Sequence, residues 1–422
     1  MSKSATKEER GYRERMVDAR LQAILARFPA VMMTGPRASG KTTTARRYVA
    51  HVAHLDRPAE ASVFKHDPDM ALAGLPKPLL LDEWQEVPEV LGAIKRSVDL
   101  DRTPGSFILT GSVRVDDAAQ TWPATGRVVR LVTLPMTQRE ILGRLPGRLF
   151  VDRVITEQVG GLEPPPGARM GLKDYLTAAL MGGFPDVVLN LDAFGREVWL
   201  QGYIDQLVSD DAPLLRRRVD PFGFAAFVEA FAVASAAVTL ASTLGRAAVI
   251  DPRTARAYLE LLTRLLVADQ VPAWRSNRLS EVSAAKKLYL TDSGLLAAVT
   301  NADMSVLLQD GRLVGQMIET FVVQQIRAEA QMSSSRVNLR HLRDRGGHRE
   351  VDLILDYGKG RGVVGVAIKA TSAPHRDDAK HLMWLREKIG SAFHLGVVLH
   401  TGSELIELDQ KILAAPISTL WA

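Results

Sequence analysis

A glycine-rich segment near the start of the sequence has the residue types and spacing of a phosphate-binding loop. Residues 35–42 read G-P-R-A-S-G-K-T and match the pattern G-x-x-x-x-G-K-[ST] in full. The glycines let backbone N–H groups point at phosphate oxygens, Lys41 can reach the terminal phosphates, and the Thr42 hydroxyl can bind Mg²⁺. The predicted nucleotide-binding residues are Gly35, Pro36, Arg37, Ala38, Ser39, Gly40, Lys41, Thr42 and Thr43. This pattern predicts a site for a nucleoside triphosphate with Mg²⁺.

The segments on either side of the loop are the ones that such a loop requires. Residues 30–34 form an apolar run typical of a buried strand, and residues 41–52 have a helical pattern. A helix that begins at the loop brings its positive end to the phosphates. The alternative is a chance match in a structural turn, which this strand–loop–helix context disfavours.

An acidic pair follows the next apolar strand. Residues 78–81 read P-L-L-L, and Asp82 and Glu83 come directly after them. A carboxylate at a strand end beside the loop can hold Mg²⁺, and the adjacent Glu83 can orient the attacking water. The alternative for such a pair is a helix N-cap. Beside a complete phosphate loop, we interpret Asp82 as a metal ligand and Glu83 as a catalytic carboxylate that acts with Lys41.

Two more residues are candidates for the same site. Ser112 follows the apolar run 107–110 and could contact the γ-phosphate or the water, although a simple Gly-Ser turn explains it equally well. Arg127 precedes a further strand, residues 128–134, and could neutralise charge in its own chain or across a subunit boundary. A surface arginine is the alternative interpretation. A guanine-reading Asn-Lys-x-Asp motif is absent, which favours ATP over GTP.

The composition is that of a globular protein with several domains. With 422 residues, of which 46% are hydrophobic and 24% charged, the chain can form about two to four domains. It contains no cysteine, which excludes disulfides and thiolate metal sites, and the charged N-terminus predicts a cytoplasmic protein. Residues 224–244 are apolar but alanine-rich and contain Glu229, which favours a buried helix pair over a membrane span. The net charge of +5 permits a polyanionic partner without requiring one.

The order of elements predicts an α/β fold with more than one domain. Strands alternate with helices in the first part of the chain, which implies a parallel sheet covered by helices on both faces. Residues 172–300 have largely helical patterns. After them a helix at 314–330 leads into strands at 337–343, 350–355, 363–370 and 395–399. The predicted domains are 1–150, a helical linker at 151–222, 223–303 and 304–422.

Further motifs, taken together with the loop and the acidic pair, resemble one known family. They lie at 34–42, 80–83, 108–112, 125–127, 182–185 (G-G-F-P), 287–295 (K-L-Y-L-T-D-S-G-L), 319–322 (E-T-F-V) and 350–352 (E-V-D). The chain resembles, over nearly its whole length, the prokaryotic AAA-superfamily ATPases whose C-terminal half is a domain of unknown function with a restriction-endonuclease-like core. The resemblance implies a P-loop AAA-type ATPase core, a helical and winged-helix middle, and a C-terminal nuclease-like α/β domain.

The middle of the chain carries basic residues where a winged helix could contact DNA. Asp251 and Pro252 predict the start of a helix that runs to residue 266, and segments 270–274 and 287–290 could pair as the wing. The candidate DNA contacts are Arg253, Arg256, Arg275 and Arg278, with Lys286 and Lys287 near the wing. The alternative is that this unit serves only as a packing module.

The resemblance also implies a nuclease-like site near the C-terminus. That fold places an acidic residue on one strand and Glu-x-Lys on the next, so that two carboxylates bind Mg²⁺. Asp352 and Lys369 fit the pattern, with Asp352 as a possible metal ligand and Glu319 as a further contributor, but Ala367 stands where the second carboxylate is expected. Glu350 could replace it only if the strand register differs. We therefore expect nuclease activity to be reduced or lost.

These features predict a Mg²⁺-dependent ATPase that binds and acts on DNA and that could act as a homo-oligomer. One alternative is an ATP-gated DNA-binding module with little turnover. Another is a P-loop kinase, against which the acidic pair and the additional domains argue.

Overall fold

The computed structural model describes most of the chain. The described residues are 11–112, 126–145, 147–156, 162–164, 169–212, 219–275, 284–344, 346–358 and 360–422. They divide into two units: one contains the described residues up to Pro135 together with Arg264–Leu266, and the other contains the remainder. None of the helices in these residues is both long and apolar enough to cross a membrane.

The first unit is built on a five-stranded parallel sheet. Its strands are β1 (Ala30–Thr34), β2 (His51–His54), β3 (Leu79–Asp82), β4 (Phe107–Gly111) and β5 (Val128–Val132). They lie in the order β2-β3-β4-β1-β5, and every neighbouring pair is parallel. Its helices are α1 (Met16–Leu25), α2 (Lys41–Arg46), α3 (Pro58–His66), α4 (Pro68–Ala73) and α5 (Val90–Leu100), with a 3₁₀ turn at Trp84–Glu86. The predicted α/β class with a parallel-sheet core is confirmed.

Full burial of the central strands explains their apolar sequences. Every residue of β1, β3 and β4 is buried, and strands of a parallel sheet that is covered on both faces read as continuous apolar runs. On one face Met32, Leu81 and Leu109 share a core with Phe64 of α3 and Ile94 of α5. This packing fixes the strand ends on which the candidate site is built.

One predicted helix is shorter than expected. Helix α2 ends at Arg46, and residues 51 and 52, which were predicted to end it, begin β2 instead. Strand β2 pairs with β3 from His51 opposite Leu79 to His54 opposite Asp82. This pairing satisfies the backbone at the sheet edge and buries Ala53, which is 2% exposed. The hydrogen bonds of the sheet therefore override the local helical pattern.

The second unit contains two sheets and many helices. The helices are α6 (Gln138–Ile141), α7 (Phe150–Thr156), α8 (Leu172–Met181), α9 (Pro185–Asn190), α10 (Ala193–Gln206), α11 (Pro221–Val233), α12 (Ala241–Ala247), α13 (Pro252–Arg264), α14 (Ser293–Val299), α15 (Met304–Leu307), α16 (Gly311–Met332) and α17 (Lys380–Ile389). Helix α10 continues into a π-helical turn at Leu207–Asp211. The longest of these helices, α16, has most of its residues buried, including Phe321 and Val322.

The smaller sheet has three antiparallel strands. They are β6 (Ala237–Val238), β7 (Ala268–Val271) and β8 (Lys287–Leu290), in the order β6-β8-β7. The pairing predicted between segments 270–274 and 287–290 is present as β7–β8. The helix pair predicted within residues 224–244 is present as α11 and α12, which pack against each other, and residues 237–238 between them pair with β8.

The larger sheet has six strands of mixed direction. They are β9 (Asn338–Arg343), β10 (Glu350–Asp356), β11 (Val363–Lys369), β12 (Phe393–His400), β13 (Ile406–Asp409) and β14 (Ile412–Pro416), in the order β13-β14-β12-β11-β10-β9. Strands β11, β12 and β14 are parallel, and the outer pairings are antiparallel. Leu382 and Leu385 of α17 pack on this sheet with Ala367 and Val398.

A buried carboxylate explains the G-G-F-P motif of the second unit. Asp292 is 0% exposed, and its two oxygens accept hydrogen bonds from the backbone N–H groups of Gly183 (2.7 Å) and Leu295 (3.0 Å) and from the Gln324 side chain (3.2 Å). Gly182 has φ +69° and ψ −150°, a conformation that only glycine adopts readily. A Cβ there would lie 2.4 Å from Asp292 Oδ1. The motif therefore has a structural role.

Replacing Gly182 with alanine should destabilise the second unit. We expect a loss of roughly 3 kcal/mol, because the new Cβ is strained at this φ and displaces the carboxylate that caps α14. Thermal unfolding of the full chain measures the effect. The matched control is Gly202→Ala within α10, where a Cβ has open space and where alanine should stabilise by about 0.5–1 kcal/mol. Equal unfolding temperatures for Gly182→Ala and the natural chain would contradict this prediction.

Candidate active site

Two glycines give the predicted phosphate loop its path. Gly40 has φ +88°, a left-handed conformation, and helix α2 begins at the next residue, Lys41. Gly35 has another reason: a Cβ there would lie 2.0 Å from the backbone oxygen of Thr133. The loop therefore lies tightly against the segment after β5, with its following helix starting directly at the lysine.

Lys41 is a buried cation held by the loop itself. Its side chain is 4% exposed, and Nζ donates to the backbone oxygens of Gly35 (3.1 Å) and Pro36 (2.9 Å). Burial lowers the pKa of Lys41 to about 8, and the carboxylates of Glu83 and Asp82 only partly offset this. A buried ammonium whose hydrogen-bond partners here are neutral carbonyls is well placed to bind an anion.

Asp82 joins the loop to the neighbouring strands. Its Oδ1 accepts hydrogen bonds from Thr42 Oγ1 at 2.7 Å and from Thr110 Oγ1 at 2.5 Å. Its Oδ2 lies 3.4 Å from Nδ1 of His54, the last residue of β2. The structure thus brings Thr42 and Asp82 together, as the sequence predicted. It adds Thr110, the last residue but one of β4, and His54, the last residue of β2; sequence reasoning missed their contacts with Asp82, although both strands are neighbours of β3.

Glu83 has an unusual backbone conformation. Its φ and ψ are +54° and +52°, in the left-handed region that residues other than glycine rarely adopt. The residue is half-buried, burial raises the pKa of its carboxyl, and Gln85 Nε2 donates to it. Such local strain costs about 1–3 kcal/mol and is typical of functional sites. This left-handed residue turns the chain sharply after β3 and keeps Glu83 beside Asp82, at the carboxyl ends of the strands.

Several polar atoms around this edge have no protein partner. Among the described residues, the buried Ser39 Oγ, Trp84 Nε1 and Gln85 Oε1 make no hydrogen bond. Such atoms are costly unless a ligand or water satisfies them. Together with the Lys41 ammonium and the oxygens of Thr42 and Asp82, which are the ligand type that Mg²⁺ prefers, they fit a Mg²⁺-bound triphosphate.

The structure does not bring Arg127 to this group. Val128, the next residue, pairs with Ala30 at the start of β1, whereas the phosphate loop follows Thr34 at its end. Arg127 instead contacts Asp99 at 2.9 Å in an exposed ion pair. Its predicted role within its own chain is therefore wrong, and a contribution from a neighbouring copy stays a prediction. Ser112 directly follows β4 and is half-buried.

A segment before α1 supports the loop from outside. Arg15 is 5% exposed and donates to the backbone oxygens of Ser39 (3.1 Å) and Leu134 (2.8 Å). Tyr12 donates to Asp18 (2.9 Å) and shares a hydrogen bond with Thr44 of α2 (2.9 Å). Sequence analysis missed these contacts, because nothing in the spacing of residues 12–18 links them to a loop more than twenty residues later.

The residues of the predicted nuclease-like site come together, but around a lysine. Nζ of Lys287 lies 2.7 Å from Glu319, 2.9 Å from Glu350 and 3.0 Å from Asp352. Lys287 is 1% exposed, so its predicted position as a surface cation of the wing is wrong. Across the described residues, no group of three or more His, Cys, Asp or Glu side chains could hold a metal ion. The predicted metal role of Asp352 is therefore not supported by the geometry, because an ammonium fills the position.

Ala367 lies in the apolar core of the larger sheet. It packs with Leu382 of α17 and is 8% exposed. The neighbouring strand β11 reaches Asp352 through its backbone instead, since the N–H of Ile368 donates to Asp352 Oδ2 at 2.9 Å. Burial raises the pKa of Asp352, but the charge of Lys287 and the Ile368 hydrogen bond outweigh burial and lower it; the half-buried Lys369 adds to this effect. The predicted second carboxylate thus has no counterpart at this position.

The candidate DNA-contacting arginines are only partly described. Arg253 and Arg256 are exposed on the first turns of α13, and Arg275, after β7, is half-buried. Arg278 lies outside the described residues.

Comparisons with known proteins match three parts of the chain. Residues 27–142 match the model of an AAA domain, residues 172–305 match a domain of unknown function, DUF8612, and residues 314–420 match another, DUF4143. The first match covers the phosphate loop, Asp82 and Glu83. It supports an ATP-binding, AAA-type P-loop ATPase domain in this part of the chain.

Similar proteins include two uncharacterized mycobacterial proteins and one ATPase of known structure. The uncharacterized proteins Mb2031c of Mycobacterium bovis and Rv2008c of Mycobacterium tuberculosis are each 28% identical over 315 residues. The match covers 74% of this chain but only 65% of those proteins. A Walker-type ATPase of Pyrococcus abyssi, PABY2304, aligns with 71% of this chain and 99% of its own at 14% identity and a TM-score of 0.41.

The lowered pKa of Lys41 predicts proton uptake when ATP binds. Without nucleotide the side chain loses its proton as the pH rises through about 8, whereas phosphates favour the ammonium form. Binding at about pH 9 should therefore take up close to one proton per ATP, and binding at about pH 7 much less. Titration calorimetry in buffers of different ionisation enthalpy measures this uptake.

Two variants control this measurement. Lys41→Met should bind ATP weakly and without uptake, whereas Lys95→Met, which removes a lysine in an exposed ion pair with Asp99, should leave the uptake unchanged. Buffer-independent heats at about pH 9 in the natural chain would show that Lys41 is already charged there.

Proposed function

We propose that this protein is a Mg²⁺-dependent ATPase of the AAA type that couples ATP hydrolysis to the binding or remodelling of DNA. The observation that carries the ATPase proposal is the joint hydrogen bonding of Asp82 by Thr42 and Thr110, beside the buried Lys41. This arrangement of a carboxylate, a hydroxyl and an ammonium at the carboxyl ends of the strands supports roles for them in binding Mg²⁺ and phosphate.

Each residue of this edge then has a defined task. The backbone of the loop and Lys41 bind the β- and γ-phosphates, and Thr42 and Asp82 supply oxygen ligands for Mg²⁺. When bound, Mg²⁺ neutralises the charge that develops on the phosphates. Glu83, held by Gln85, orients and polarises the attacking water. Burial raises the pKa of Glu83, which makes its carboxylate a stronger base.

Changing Glu83 to glutamine should abolish turnover and spare ATP binding. The substitution keeps the shape of the side chain and removes its capacity as a base, so we expect the hydrolysis rate to fall by about 10²-fold or more. Steady-state phosphate release and calorimetric ATP binding measure the two effects separately. In Lys41→Ala both the hydrolysis rate and the affinity for ATP should fall, because this substitution also removes a phosphate contact.

The matched control for this experiment is Glu86→Gln. Glu86 is an exposed carboxylate three residues further along, in the same 3₁₀ turn, and its substitution should leave the rate unchanged. Undiminished hydrolysis in Glu83→Gln would show that this carboxylate is not the catalytic base. ATP binding without turnover in the natural chain would instead favour an ATP-gated switch.

The proposal of DNA binding rests on the middle of the chain. Arg253 and Arg256 are exposed at the start of α13, a helix that lies between α12 and the β7–β8 pair. This order of helix, helix and paired strands is that of a winged helix, whose second helix meets the major groove while basic residues contact phosphates. Within this proposal residues 223–303 bind DNA, and the protein acts in the cytoplasm as a homo-oligomer in which Arg127 of one copy faces the ATP of the next.

Removing both arginines should weaken DNA binding in a salt-dependent manner. For Arg253→Ala with Arg256→Ala, we expect roughly tenfold lower affinity for duplex DNA at low salt. The slope of log affinity against log salt should become less steep by about two, because binding releases about one counterion fewer for each phosphate contact that is lost. Fluorescence anisotropy over a salt series measures both quantities.

A charge-matched control separates local contact from net charge. Arg312→Ala with Lys388→Ala removes two exposed positive charges elsewhere in the second unit, and it should leave the slope unchanged. Equal losses in both double variants would mean that only overall charge matters. ATP turnover that no single-stranded, duplex or forked DNA alters would move the proposed partner from DNA to protein.

A further inference from the structure

Three carboxylates from two elements surround the ammonium of Lys287. Glu319 lies in α16, Glu350 and Asp352 lie in β10, and Lys287 itself begins β8. The three N···O distances are 2.7, 2.9 and 3.0 Å. An ammonium has three N–H donors, and here each carboxylate takes one contact with it. The three carboxylates therefore match the three N–H donors of the lysine in number.

The distances fit an ammonium better than a metal. Contacts of 2.7–3.0 Å are those of charge-assisted N–H···O interactions, whereas Mg²⁺ and Ca²⁺ bind oxygens at about 2.0–2.6 Å. A divalent cation at this place would have to displace the lysine and draw the carboxylates inward. Because Lys287 is 1% exposed, that displacement would have to move a buried side chain that forms three ion pairs.

Two of the three carboxylates, Glu319 and Asp352, also accept a hydrogen bond from a second donor, and Glu350 has a second cation near it. Tyr289 Oη donates to Glu319 Oε1 at 2.6 Å, and the Ile368 N–H donates to Asp352 Oδ2 at 2.9 Å. Arg343 Nε approaches Glu350 Oε2 at 3.8 Å. Tyr289 stands two residues after Lys287 on β8, so both side chains point to the same face of that strand. The K-x-Y spacing of residues 287–289 therefore serves this cluster.

The cluster keeps Lys287 charged. Burial alone would lower the pKa of Lys287, but the carboxylates of Asp352 and Glu319 outweigh burial and hold that pKa well above its usual value. A permanently protonated amine is not a nucleophile, which argues against covalent chemistry at this lysine. Its remaining physical role is that of a cation.

We infer that Lys287 is the resident cation of this acidic cluster: its ammonium takes the place that a divalent metal would need, and it ties β8 to α16 and β10. Asp352 then binds no metal in the natural chain, and strand cleavage that depends on a metal at Asp352 does not occur. This inference concerns the second unit alone and does not depend on ATP hydrolysis.

The test is to remove the charge and ask whether a metal enters. Lys287→Met keeps the length of the side chain and leaves three carboxylates without their cation. We expect the nucleotide-free variant to bind one Mn²⁺ more per chain than the natural protein, as measured by electron paramagnetic resonance of free Mn²⁺. Adding Asp352→Asn to this variant should remove the additional Mn²⁺. Lys286→Met, at the exposed neighbouring lysine, should bind no more Mn²⁺ than the natural chain.

A second comparison decides the matter if Lys287→Met does not fold. Glu350→Gln in the natural background changes the most exposed of the three carboxylates, whose side chain is 31% exposed. We expect it to bind as much Mn²⁺ as the natural protein, because no metal was held there. Loss of a bound Mn²⁺ in Glu350→Gln would overturn the inference, and so would a folded Lys287→Met that gains none.

Discussion

One carboxylate oxygen, Oδ1 of Asp82, holds the candidate ATP site together. The strand order β2-β3-β4-β1-β5 does not make β1 and β3 neighbours, because β4 lies between them. The loop after β1 and the acidic pair after β3 are therefore about two strand spacings, roughly 10 Å, apart. Thr110 of β4 and Thr42 of α2 close this gap by donating to the same oxygen. A ligand at this edge meets groups from three elements that are already fixed to one another.

The sequence predicted the parts of this site that follow from local chemistry. The phosphate loop, the strand before it and the Asp82–Glu83 pair each have a pattern within a few residues, and the parallel sheet follows from the alternation of strands and helices. His54 and Thr110 were missed, because their proximity to Asp82 depends on which strands are neighbours. Arg127 was misplaced for a different reason: it precedes β5, and residues that precede strands lie at the opposite end of a parallel sheet from residues that follow them.

The second unit was harder to predict because its important contacts link distant residues. Lys287 meets Asp352 across 65 positions of sequence, and Gly183 meets Asp292 across 109. A lysine beside a predicted wing has the local signature of a surface cation, and only the burial of β8 reveals its partners. Ala367 is a second example: it stands where the nuclease-like pattern expects a carboxylate, but it packs in the apolar core under α17. Only the packing of α17 on β11 reveals this.

Two buried lysines of the described residues, Lys41 and Lys287, show how the partners of a cation decide its role. Both side chains are buried, and burial by itself lowers the pKa of a lysine. For Lys41 the hydrogen-bond partners are two backbone carbonyls, and its pKa stays lowered to about 8. For Lys287 carboxylates reverse the effect, and its pKa rises. An incoming anion would therefore stabilise the charged form of Lys41, whereas the charge of Lys287 is already stabilised by three carboxylates. The first can act as a receptor for phosphate, and the second stabilises the fold in which it lies.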